Sequence, residues 1–77
     1  MYNNQFNYYN TQYPMITIQE AIQIALNHIY GQVIKAELDR ENGFLVYEVA
    51  VISPQGRKYE IHIDAYNGNI INVELDT

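Results

Sequence analysis

Apolar residues recur along this chain in two rhythms. Over residues 18–29 the spacing is three and four, so that Ile18, Ala21, Ile22, Ala25, Leu26 and Ile29 fall on one stripe of a helix. Thr17 followed three residues later by Glu20 reads as a capping box, each side chain accepting a backbone N–H that the first turn leaves free. Ile16 precedes the cap and is placed to staple to Ala21. Gly31 is expected to supply the left-handed residue that stops the helix.

Beyond Gly31 the rhythm falls to two. In "VIKAELD", Ile34, Ala36 and Leu38 share a face, opposed by Lys35, Glu37 and Asp39. In "FLVYEVAVI", Tyr47, Val49 and Val51 point inward and Glu48 outward. In "KYEIHID", Tyr59, Ile61 and Ile63 point inward, with Lys58, Glu60, His62 and Asp64 outward. "NIINVEL" sets Ile71, Val73 and Leu75 against Asn72 and Glu74. Four successive alternating runs predict an antiparallel sheet with one buried face and one wetter face. The connections agree. Asn42-Gly43 suits a tight hairpin with two positive φ angles, and Asn67-Gly68 repeats the device. Pro54 and Gly56 suit positions two and four of a type I turn. The predicted fold class is α+β: one N-terminal helix packed on a four-stranded antiparallel meander sheet.

Residues 1–14 follow neither rhythm. They are almost wholly Asn, Gln, Tyr and Thr, too poor in aliphatic surface to offset the entropy of ordering, and are expected to form a tail. The functional alternative is an associating arm, since Tyr, Asn and Gln stack and form amide ladders. The remainder, 15–77, is expected to be one small domain. With 77 residues the whole chain is expected to bury roughly 60% of the surface its unfolded form exposes. It has no cysteine to reinforce it by disulfide or thiolate zinc.

Charge narrows the function classes. Nine acids against four scattered bases give a net charge of -5, with none of the basic stripe that nucleic acid or anionic lipid demands. No apolar run approaches the roughly 20 residues of a membrane span, and the start lacks the marks of a secretory signal. Expected partners are therefore protein, with no nucleic acid and no membrane insertion, and the chain is expected to be a monomer or weak homo-oligomer. A cytoplasmic or spore-associated location is expected unless a leader was removed.

Candidate chemistry is sparse. Asp64 stands where a strand ends and a turn begins, and its carboxylate suits accepting N–H groups two or three residues on. His62 and Glu60 lie on the same outward ladder, but neighbours on one strand face stand nearly 7 Å apart and seldom converge on one ion. His28 is accounted for by the helix C-terminus. The one serine, Ser53, sits in a turn, and no phosphate loop or His-Glu-x-x-His pair is present. No catalytic, cofactor or metal site is expected. Tyr47 and Tyr59 read as core rings, while Tyr66 in a hairpin tip is a contact candidate.

Three motifs, "EAIQIAL" at 20–26, "YEV" at 47–49 and "IDAYNGNI" at 63–70, stand in the order and spacing of a known module. Over residues 16–74 the chain resembles the PepSY domain, found in propeptides of thermolysin-type metalloproteases and in bacterial envelope and spore-associated proteins. Asn67 replaces the Thr usual in the family, and Asn tolerates the left-handed turn. The resemblance implies a non-enzymatic module that binds a peptidase and restrains or chaperones it. Because the chain stops at Thr77, inhibition is expected in trans. The candidate contact surfaces are the outer sheet face, with Val46, Ala50 and Ile70, and the hairpin tip at Tyr66, Asn67 and Asn69, with Asp64 and Gly68 as turn residues. A structural or assembly role in a spore or envelope layer, through the Tyr/Asn-rich arm, is the alternative.

Overall fold

The structure, a computed structural model, describes residues 14–76. The tail assigned to residues 1–14, and the associating arm weighed against it, therefore lie outside the described residues except for Pro14. Helix α1 (Ile18–His28) is followed by strands β1 (Gln32–Glu41), β2 (Phe44–Ile52), β3 (Lys58–Asp64) and β4 (Ile70–Leu75). The strands make one antiparallel sheet in the order β1-β2-β3-β4, with α1 across one face. The architecture is the predicted one.

The helix starts where the capping box places it. Thr17 Oγ1 accepts the Glu20 N–H at 3.1 Å, and Glu20 Oε1 accepts the Thr17 N–H at 2.8 Å. Such a cap is worth about 1 kcal/mol. Ala21 and Ala25 are the residues that α1 buries completely, and their small side chains let its backbone lie close to Val49, Val51, Ile61 and Ile63. Each fully buried isoleucine contributes about 1.5–3 kcal/mol through its removal from water. Two bonds strap the helix entry to the sheet: Tyr47 Oη donates to the Ile16 carbonyl at 2.7 Å, and Ile16 N–H donates to the Ala65 carbonyl at 2.8 Å.

Gly31 is needed for a different reason from the expected one. Its φ is not positive, and the helix ends instead with Ile29 in extended conformation, its N–H bonded to Ala25. A Cβ on Gly31 would stand 2.2 Å from the Ile52 carbonyl oxygen and 2.8 Å from Val51 Cγ1. The glycine lets the chain pass against β2.

The hairpins are similarly mixed. Asn42 and Gly43 take φ of 50° and 84°, the pair of positive angles expected of a tight turn. Gly56 N–H donates to the Ser53 carbonyl at 2.8 Å, closing the turn around Pro54. At the third connection only Gly68 is left-handed, with φ 77°. The loop is longer than a two-residue turn: Asp64 pairs with Asn69 through its N–H, and Gly68 N–H bonds back to the Asp64 carbonyl. Asn67 is spared the left-handed conformation because the extra residues wind as a helical turn.

Two apolar doublets shift the predicted faces. Ile34 is an extra residue between the pairs Val33–Val51 and Lys35–Ala50, so Val33 packs on the core and Ile34 is exposed. Ile71 is the equivalent extra residue in β4, between His62–Asn72 and Ile63–Ile70, and is 56% exposed while Ile70 packs on the core. Both bulges lie on edge strands, where they twist the edge away from further pairing. Leu38 does face the helix side, opposite Tyr47, yet stays exposed. An 11-residue helix is about 16 Å long and cannot cover a ten-residue strand of about 33 Å.

Candidate functional site

The β3–β4 loop gathers Asp64, Tyr66, Asn67, Gly68 and Asn69 at one end of the molecule. Asp64 Oδ1 accepts the N–H of Tyr66 at 2.8 Å and of Asn67 at 3.1 Å, the geometry of an Asx turn. Asn67 Oδ1 accepts the Asn69 N–H at 2.8 Å, bracing the exit of the loop. Tyr66, 45% exposed, is left at the tip. Beside it, Asn67 and Gly68 meet Ile16, Gln19, Gln23 and Ile24 of the helix side in an open groove of about 460 Å³. Gly68 lies close against the helix there, since a Cβ on it would come within 3.1 Å of Ile24 Cδ1.

The other proposed patch is redrawn by the structure. Val46 and Ala50 do lie on the open face of the sheet, but each is only 1% exposed. They are small residues on a central strand, flanked by Asp39 and Asp64 and by Lys35 and Glu60 respectively. Ile70 lies on the opposite face, turned there by the bulge at Ile71. The three residues form no common patch.

What the open face does assemble is a cluster around His62. The register sets Glu48 and Asn72 directly beside His62, on β2 and β4, and sets Glu60 opposite Glu74. His62 is 7% exposed although no helix among the described residues covers it. Its Nδ1 lies 3.0 Å from a Glu41 carboxylate oxygen, and its Nε2 lies 3.8 Å from Glu60 Oε1. Two triads therefore share one ring: Glu41, Glu48 and His62 on one side, and Glu60, His62 and Glu74 on the other, each with ligand atoms within 4.8 Å of one another. Asn72 Nδ2 donates to Glu74 Oε2 at 3.0 Å, orienting that carboxylate.

The triads shift one another's protonation. Glu48 is pushed up to about 7, first by its hydrogen bond with Glu41 and then by burial. Glu41 is lowered, by the same bond and by His62. Burial pulls the His62 ring toward neutrality, but the bond and charge of Glu41, with Glu48 and Glu74, outweigh it and leave its pKa raised. His62 Nε2 is buried without a hydrogen-bond partner among the described residues. Leaving such a group unpaired costs about 1–3 kcal/mol.

Reading β3 alone brought out Glu60, His62 and Asp64 but missed Glu41, Glu48 and Glu74, which come from three other strands. The signal was present in the alternation and the turns, which together set the register that places Glu48 beside His62 and Glu74 beside Glu60.

A family model named PepSY, described as "Peptidase propeptide and YPEB domain", matches residues 15–74. The protein YkoJ of Bacillus subtilis strain 168 is 39% identical over 61 residues, covering 79% of this chain and 36% of YkoJ. Among solved structures, the CD1622 protein of Clostridium difficile 630 superposes with a TM-score of 0.76 at 27% identity, over 80% of this chain and 40% of that one. YpmB of Bacillus subtilis superposes with a TM-score of 0.75 at 21% identity, over 80% and 49% respectively, a likeness of fold. The chain spans less than half the length of each of these relatives.

Proposed function

The chain belongs to the PepSY family, and from that premise we propose that it is a non-enzymatic protein-binding module whose partner is a peptidase that it restrains. The observation that carries this reading is the family match over residues 15–74, to a module described by its place in peptidase propeptides. The contact surface we assign is the loop end of the molecule. Exposed Tyr66 is the kind of rigid aromatic anchor that dominates protein contacts, and the adjoining groove has an apolar floor from Ile16 and Ile24. Asp64 and Gly68 hold the loop in shape, and Asn67 and Asn69 offer amide groups at its rim.

The test is an activity titration. The intact chain is added to a thermolysin-type metallopeptidase cleaving a fluorogenic peptide, with zinc held in slight excess over all protein. Activity is expected to fall to a plateau at one chain per enzyme, and Tyr66→Ala to weaken the effect at least tenfold. Unchanged activity at large molar excess, across a panel of such peptidases, would overturn the proposal.

A further inference from the structure

The open face of the sheet holds a buried imidazole with one nitrogen hydrogen-bonded and the other not. Nδ1 is engaged by Glu41, so the proton of the neutral ring belongs there. That leaves the Nε2 lone pair directed toward Glu60 and Glu74, buried and without a partner among the described residues. A histidine oriented by a carboxylate on one nitrogen, with the other free and facing further carboxylates, is the arrangement that metal-binding histidines adopt.

We propose that His62 Nε2, Glu60 and Glu74 form a binding site for a divalent transition-metal ion of the zinc type. Two carboxylates and a neutral imidazole bring two negative charges to a dication. The imidazole argues against magnesium and calcium, which take all-oxygen shells. Zinc accepts nitrogen and carboxylate oxygen together at about 2.0–2.2 Å, which in a tetrahedron puts ligand atoms about 3.4 Å apart. The Nε2 to Glu60 separation of 3.8 Å is near that already, and Glu74, on an edge strand, offers a carboxylate oxygen within 4.8 Å of both. Glu74 is positioned by Asn72, and His62 by Glu41. The three ligands leave a fourth position open at the sheet surface. Adjacent positions on one strand would not converge alone, but here Glu74 reaches the ion from β4, and the straight-strand objection lapses. The site lies on the sheet face opposite α1, so it is independent of the peptidase-binding proposal.

Zinc chloride titrated into the intact, metal-free chain by calorimetry at pH 7.5 is expected to bind at one ion per chain. Glu60→Gln and His62→Asn are expected to weaken binding more than tenfold, and Glu41→Gln, which only orients the ring, by about tenfold. His28→Asn is expected to leave it unchanged. Because the His62 variant removes a buried residue, the unaltered chain supplies a second readout: the His62 Nε2 nitrogen resonance should shift on zinc addition while Nδ1 keeps its proton. Heat of binding absent at millimolar zinc, or binding that moves the His28 ring and leaves His62 Nε2 in place, would overturn the proposal.

Discussion

On the face that α1 covers, Val49, Val51, Ile61 and Ile63 are sealed by apolar contacts; on the other, Val46, Ala50 and His62 are sealed nearly as well with no element of the described residues above them. The first seal is apolar packing. It depends on shape, with alanines at the helix contact and a glycine where the chain passes β2. The second is a canopy of charged side chains around His62, Glu41, Glu48, Glu60 and Glu74 among them, which can change protonation. The difference separates what holds this domain together from what gives it chemistry.

The covered face should be the more sensitive to truncation. Ile61→Ala is expected to cost about 2–5 kcal/mol, because the packed surroundings collapse only partly into the cavity. For so small a domain that is a large share of its stability, and urea unfolding should show most of the variant unfolded at far lower denaturant. Gly31→Ala comes next, at about 1–3 kcal/mol, since its Cβ must displace backbone at Ile52. A cost near zero would mean that the approach to β2 relaxes freely. Val46→Ala, equally buried but on the open face, is expected to cost only about 1 kcal/mol, because flexible neighbours can settle over the gap. A loss matching that of Ile61→Ala would erase the contrast between the faces.

The smallest effect is one of pH, in metal-free buffer. Glu48 rises from an ordinary 4.5 to about 7, so the folded chain keeps a proton there that the unfolded chain has released. The stability it lends is complete at the acidic end and is lost as pH climbs from 4.5 through 7. His62 is raised too, and acts in the same sense: its contribution is full below the unfolded value of 6.5 and fades as pH passes its folded value. Glu41, lowered, works oppositely, its contribution being lost as pH falls below 4.5. Denaturation midpoints should therefore decline from mildly acidic pH toward pH 8, and Glu48→Gln should flatten the decline. A profile that rises across this range contradicts the canopy's charge arrangement. The groups facing His62 here are Glu41, Glu48, Glu60 and Glu74.

Much of this was legible in the chain because it is local. The Thr17–Glu20 cap, the Asn42-Gly43 turn and the four alternating runs each need only a few adjacent residues. The doublets Val33-Ile34 and Ile70-Ile71 also mark the bulges, since two apolar residues in succession break a period of two, but a continuous alternation masks them. Gly31 and the Asn67-Gly68 loop were misread because their conformations depend on a backbone several residues or a strand away. The surroundings of His62 come from side chains on neighbouring strands, which no single run displays.

The contrast between the faces turns on one ring. Long-range proton–nitrogen correlation of the His62 imidazole, in the intact metal-free chain at a pH above its titration, reads the tautomer directly. A proton on Nδ1 and a bare Nε2 are predicted. A proton on Nε2 would contradict both the Glu41 contact and the open metal-binding nitrogen.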